Sequence, residues 1–133
     1  MKLNDLKLLR EHTYVNGQWI DADDGARFTV TNPADGETIA DVSSVGQAET
    51  ARAISESQIA LPAWRGKTAK ERSKVLRTWY ELIMANQEDL ARLLGWEQGK
   101  PLAESRGEIV EGAIGSKFRN SGRWHRCSAL IPK

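Results

Sequence analysis

"TAKERSKVLRTWYELIMANQEDLARLLGWEQGKP", residues 68–101, decides the architecture. Thr68, Ala69, Lys70 and Glu71 spell a capping box. The Thr68 hydroxyl can accept the Glu71 amide while the Glu71 carboxylate reaches back. Behind that start, Val75, Leu76, Trp79, Leu82, Ile83, Leu90, Leu93 and Leu94 recur at helical spacing and hold one face over several turns. Asn86 marks a break or a new cap near the middle. Gly99 stops the run, and Pro101 suits the first turn of another helix. That helix, "PLAESRGEIVEG" (residues 101–112), has little apolar surface.

Working outward toward the N-terminus, the period changes from helical to alternating. In "TYVNGQWI" (residues 13–20), Tyr14 and Val15 precede Asn16-Gly17, and Trp19 and Ile20 follow it. Asn-Gly accepts the positive φ angles of a type I′ turn, so a β-hairpin is expected. In "RFTVTNPADGETIADV" (residues 27–42), Phe28 and Val30 alternate with polar neighbours and Ile39 to Val42 form the return strand. Asn32-Pro33 and Asp35-Gly36 supply the turn between them. An Ala-rich helix from Gln47 to Ala60 is expected next, with Pro62 stopping it.

A chain of 133 residues suits one domain with a modest core. Its net charge of +1 is unevenly spread. All 18 Asp and Glu precede Gly112, whereas Lys117, Arg119, Arg123, Arg126 and Lys133 follow it. A solvated basic terminus is the expectation, and no nucleic-acid partner, because no basic face is interleaved with aromatics. The single cysteine, Cys127, rules out an internal disulfide framework and suits a reducing cytoplasm. No apolar run approaches the ~20 residues of a membrane span, so no membrane association is expected. The N-terminus lacks the apolar core of a secretory signal.

Searching for chemistry yields little. "GSKFRNSG" (residues 115–122) has glycines but no buried strand before it to launch a dinucleotide fold. His125 and Cys127 lie two apart with no second pair to complete a zinc site. His12 stands alone in a polar stretch and reads as a surface residue. The pairs Asp23-Asp24 and Glu88-Asp89 are explained by solvation or capping. The five tryptophans read as core anchors, since Trp79 falls on the apolar helix face.

Three stretches nevertheless resemble a known family. "YVNGQWIDADDG" (residues 14–25), "VTNPADGETIADV" (residues 30–42) and "ALPAWRGKTAKERSKVLRTWYELIMANQEDLARLLGWEQGKPLAESRGEI" (residues 60–109) are similar to the N-terminal part of the aldehyde dehydrogenase superfamily, nearest its succinate-semialdehyde dehydrogenase branch. The likeness runs from Met1 to about Ile109. It implies an α+β fragment of an α/β aldehyde dehydrogenase: N-terminal β-hairpins, then two or three helices, with the parallel sheet of the cofactor domain missing.

Val110 to Gly122, "VEGAIGSKFRNSG", resembles a much later family segment, the one just before the nucleophile. There the family pattern asks for Gln-Thr-Cys, and this chain reads Arg123-Trp124-His125. The organisation expected is therefore 1–109 as the N-terminal segment, 110–122 as the pre-nucleophile segment, and 123–133 as an unmatched basic tail, joined by an internal deletion and a disrupted frame. His125 occupies the nucleophile position, and Cys127 lies two residues beyond it.

The resemblance also implies a reaction. In the family a Cys thiolate attacks an aldehyde to give a thiohemiacetal whose oxyanion an Asn side chain and a backbone N–H stabilise. A hydride passes to NAD or NADP, and a Glu-activated water releases the acid. No catalytic, cofactor-binding or metal-binding residue carries over to a position here. The chain is expected to be inactive alone, to hold no cofactor itself, and to reside in the cytoplasm. The rival expectation is a non-catalytic interaction module whose helical face (Trp79, Leu82, Ile83, Leu90) docks on an intact aldehyde dehydrogenase relative or another partner.

Overall fold

The computed structural model describes residues 2–118. The chain opens on one 3₁₀ turn, Leu6–Leu8, capped by the Asp5 carboxylate, which accepts the Lys7 N–H at 2.9 Å. Two separate antiparallel hairpins follow. β1 (Thr13–Val15) pairs with β2 (Gln18–Ile20), and β3 (Arg27–Thr31) pairs with β4 (Thr38–Ser43). Asn16 and Gly17 join the first pair with φ of 48° and 80°, the two left-handed residues of a type I′ turn. Across that hairpin Tyr14 faces Trp19, with ring centroids 5.0 Å apart, and the Arg10 guanidinium lies 4.8 Å from the Trp19 ring.

The second turn is built by Asn32, which is buried. Its Oδ1 accepts the Ala34 N–H at 3.0 Å and its Nδ2 donates to Asp35 at 2.9 Å. The Gly36 N–H donates to the Asn32 carbonyl at 2.8 Å. The hairpins are tied to the segment before them at Ser43, whose N–H donates to the Glu11 carbonyl at 2.9 Å.

Four helices complete the chain: α1 (Gln47–Gly66), α2 (Ala69–Ala85), α3 (Gln87–Gln98) and α4 (Leu102–Phe118). The capping box forms at the start of α2. The Thr68 Oγ1 accepts the Glu71 N–H at 3.3 Å, and the Thr68 N–H donates to the Glu71 carboxylate at 2.7 Å. Asn86 is the break between α2 and α3 and closes α2, donating its Nδ2 to the Leu82 carbonyl at 2.9 Å. Gly99, with φ of 64°, ends α3 in the left-handed conformation that favours glycine.

Three expectations need correction. Pro62 does not stop α1, which continues to Gly66. The proline loses the bond to the Gln58 carbonyl and its ring crowds that carbonyl, yet the helix carries on for four more residues. The last helix, expected over residues 101–112 with little apolar surface, runs on to Phe118 and lies against both α2 and α3. It packs through small residues instead of large ones: Ser105 and Ala113 are fully buried, as is Ala91 of α3. The tryptophans are not core anchors among the described residues. Trp64 and Trp96 are half-buried, and Trp19 and Trp79 are exposed.

The buried apolar set is correspondingly thin: Leu3, Ala22, Ala40, Ala91, Leu93 and Ala113. Among the described residues no helix is long and apolar enough to cross a membrane.

Candidate functional site

Two carboxylates on the first turn of α3 organise one end of the molecule. Asp89 is buried and gathers the N-terminal segment. The N–H groups of Asn4 and Asp5 donate to its Oδ2 at 2.9 and 2.8 Å, and the Asn4 amide donates to Oδ1 at 3.0 Å. Arg92, one turn on, donates to Asp89 Oδ1 and to the Lys2 carbonyl, both at 3.1 Å. The Asp5 N–H, more than any other group, holds the Asp89 carboxyl below its ordinary value, against the opposing effect of burial and with help from Asn4 and Arg92. Glu88 takes a two-pronged ion pair from Arg106 of α4 at 2.8 and 2.7 Å, which lowers its pKa as well.

A second clasp fixes the start of α1. Glu49 is buried. It accepts the Asp23 N–H at 2.9 Å and the Gly46 N–H at 3.1 Å. Arg52 grips Asp23 with two bonds of 2.7 Å. Solvation and local capping do not describe Asp23, Glu88 or Asp89, which join elements far apart in the chain. Asp24 does act locally, accepting the Ala26 N–H at 2.8 Å. His12 is on the surface, its Nε2 3.6 Å from Asp21.

Between the β3–β4 turn and the α3–α4 junction opens a cleft of about 520 Å³ lined by Lys2, Asn32, Arg92, Trp96, Lys100 and Leu102 among others. Two of its cations are already matched by carboxylates, Arg92 by Asp89 and Glu88, and Lys100 by Glu108. The hydroxyl–carboxylate contacts Thr29–Asp41 and Thr68–Glu71 lie on the exposed surface, away from this cleft's lining. No three His, Cys, Asp or Glu side chains among them gather as a metal would need. His125 and Cys127 lie outside the described residues, as does the 123–133 tail.

A dinucleotide does not fit these residues either. Such a cofactor asks for a parallel strand feeding a Gly-rich turn and a helix N-terminus. The described strands form only two antiparallel pairs. The tightly placed glycines serve packing: a Cβ on Gly95 would lie 3.1 Å from the Ser105 Oγ, and one on Gly99 2.9 Å from the Pro33 Cγ.

The helical face expected to dock splits in two. Ile83 and Leu90 are half-buried on the inner side, while Trp79 and Leu82 are exposed together with Val75. On α1, Ile54, Ile59 and Leu61 are exposed too.

A family model described as "Aldehyde dehydrogenase family" matches residues 19–126. The chain is 58% identical over 113 residues to a glutarate-semialdehyde dehydrogenase of Pseudomonas putida, covering 85% of this chain and 24% of that protein. It is 53% identical over 109 residues to the NADP(+) succinate-semialdehyde dehydrogenase GabD of Escherichia coli, covering 82% of this chain and 23% of the other. A crystal structure titled as an E. coli NADP dependent enzyme superposes with a TM-score of 0.88 at 48% identity, over 90% of this chain and 25% of that one. The chain thus spans about a quarter of the length of the relatives it matches.

Proposed function

The chain belongs to the aldehyde dehydrogenase family, and from that premise we propose that it is the N-terminal part of an NAD(P)-dependent semialdehyde dehydrogenase, contributing structure and no catalytic group. The observation that carries this reading is identity at more than half of the aligned positions with two semialdehyde dehydrogenases, over 113 and 109 residues. Both relatives are named for aldehydes that carry a carboxylate at the far end. A short aldehyde of that class, succinate semialdehyde first, is the substrate of the enzyme to which this part belongs. Its setting is the cytoplasm, where a lone cysteine stays reduced.

The chain alone does not turn over. Oxidising an aldehyde to an acid here requires a thiolate, an oxyanion donor and a bound hydride acceptor acting as a unit. The described residues hold no cradle for the acceptor, and by resemblance His125 stands where the thiolate belongs. The test is to give purified chain succinate or glutarate semialdehyde with NAD+ or NADP+ and follow reduced nicotinamide. No signal is expected, from the parent or from His125→Cys. Turnover by either one would overturn the reading.

A further inference from the structure

Of the described asparagines, only Asn16 leaves its carboxamide open to attack by its own backbone. Asn4 gives its amide to Asp89 at 3.0 Å, and Asn86 gives its amide to the Leu82 carbonyl at 2.9 Å. Asn32 is buried and precedes Pro33, which has no N–H to attack with. Asn16 is exposed and precedes Gly17, which has no side chain to hinder the approach. Among the described residues neither the Asn16 side chain nor the Gly17 N–H makes a hydrogen bond.

The turn governs when attack occurs. The first central residue of a type I′ turn has ψ of about 30°, which swings the next nitrogen away from that residue's side chain. The closed hairpin is therefore unreactive, and opening it sets the rate. β1 and β2 are three residues each and pair only with each other. A two-stranded hairpin of that size is marginally stable in water and opens readily.

We propose that Asn16-Gly17 is a self-modification site, at which Asn16 converts to isoaspartate and aspartate when the β1–β2 hairpin opens. Hydroxide takes the Gly17 N–H proton, and the nitrogen attacks Asn16 Cγ. A five-membered imide closes as the Cγ–Nδ2 bond breaks and ammonia leaves. Water then splits the imide, and nothing is oxidised or reduced. Attack of water at Cγ restores the ordinary main chain as aspartate. Attack at the backbone carbonyl leaves the chain routed through Cγ, as isoaspartate. This chemistry is independent of the enzyme to which the chain belongs.

Isoaspartate adds a main-chain carbon to a two-residue turn, removing the geometry that holds Tyr14 against Trp19. Either product also adds a carboxylate to the lining of a cleft of about 380 Å³ between the turn and α1, which Glu56 already lines. Like charges there oppose reclosure. The modification is a one-way step away from the closed hairpin.

The experiment incubates the purified chain in neutral and in mildly alkaline buffer, then digests it with trypsin under mildly acidic conditions. The peptide of residues 11–27 is followed by mass spectrometry, with isoaspartyl methyltransferase labelling to count isoaspartate. Asn16 should gain one dalton at least tenfold faster than Asn4, Asn32 or Asn86, and faster at the higher pH. A synthetic peptide of residues 11–27 should convert several-fold faster than the chain, and urea should raise the chain's rate toward it. Asn16→Gly, which keeps a residue at ease with positive φ, should give no isoaspartate in this peptide. Its near-ultraviolet circular dichroism should persist through an incubation in which that of the parent declines.

An unchanged chain beside a converting peptide, or conversion at Asn4 or Asn86 as fast as at Asn16, would overturn the site. Equal rates for the chain and the free peptide would overturn the control by hairpin opening. A near-ultraviolet signal that survives full conversion would overturn the loss of the turn.

Discussion

Asp89 and Asp5 lie 84 positions apart in the chain, yet the Asp5 N–H donates to the Asp89 carboxylate at 2.8 Å. Two aspartates meet because only one offers its charge: the Asp5 side chain turns away to cap its own 3₁₀ turn. With Asn4 and Arg92 the contact pins the N-terminal segment to α3. It makes stability depend on acid. The carboxyls of Asp89, Asp23, Glu49, Glu71 and Glu88 are all held below their ordinary values. A lowered folded-state pKa contributes stability above the unfolded value and loses it as pH falls through the folded one. Thermal melts should therefore be flat from pH 7 to about 5 and fall steeply below about 4. In Asp89→Asn the amides of Asn4 and Asp5 should lose hydrogen-exchange protection even at pH 7. Retained protection would show that the segment is held by something else.

Features encoded in consecutive residues were legible in the sequence. Asn16-Gly17 supplies its own turn geometry, Thr68 and Glu71 cap each other, and Gly99 supplies the left-handed stop. The Asp89 clasp was not legible, because its partners are backbone N–H groups, which every residue has. The exposure of Trp79 was hidden for a different reason. Periodicity reports that a helix is apolar on one side, but in α2 Leu76, Tyr80 and Ile83 are half-buried while the adjoining Val75, Trp79 and Leu82 are exposed. The packing of α4 was not legible because its burial runs through Ser105 and Ala113, residues too small to register as an apolar face.

Thr68→Ala tests the α2 cap. The Thr68 hydroxyl accepts the Glu71 N–H and donates to the Glu71 carboxylate at 2.8 Å, and both contacts vanish with it. Loss of such a cap destabilises by about 1 kcal/mol, a lower melting temperature in circular dichroism. Coincident melts of variant and parent would show that the helix start is fixed by tertiary contacts.

Pro62→Ala bears on the continuation of α1. Alanine restores an N–H to the Gln58 carbonyl and relieves the ring's clash with that turn. The surrounding residues, Ile59, Leu61 and Ala63, are exposed, so no packing opposes the change. Helicity and stability should rise, by roughly 1–3 kcal/mol given the intrinsic penalty of proline in a helix. Unchanged helicity would mean that the chain leaves the helix before Pro62.

Gly99 and Gly107 make a paired prediction with opposite signs. Gly99 has φ of 64°, a conformation that disfavours any side chain by about 1–2 kcal/mol. A Cβ there would also lie 2.9 Å from the Pro33 Cγ and 3.2 Å from the backbone nitrogen of Ala34. The ring can shift but the backbone of the turn cannot do so without disturbing Asn32. Gly99→Ala should therefore destabilise by about 2 kcal/mol or more. Gly107 lies inside α4 with nothing within 4 Å of where its Cβ would sit. There the substitution removes only backbone freedom from the unfolded chain, and Gly107→Ala should stabilise by about 0.5–1 kcal/mol. Urea unfolding of the two variants decides it. If Gly99→Ala is neutral, the close approach of the α3 end to the β3–β4 turn is wrong. If Gly107→Ala destabilises, α4 must meet another surface at that residue.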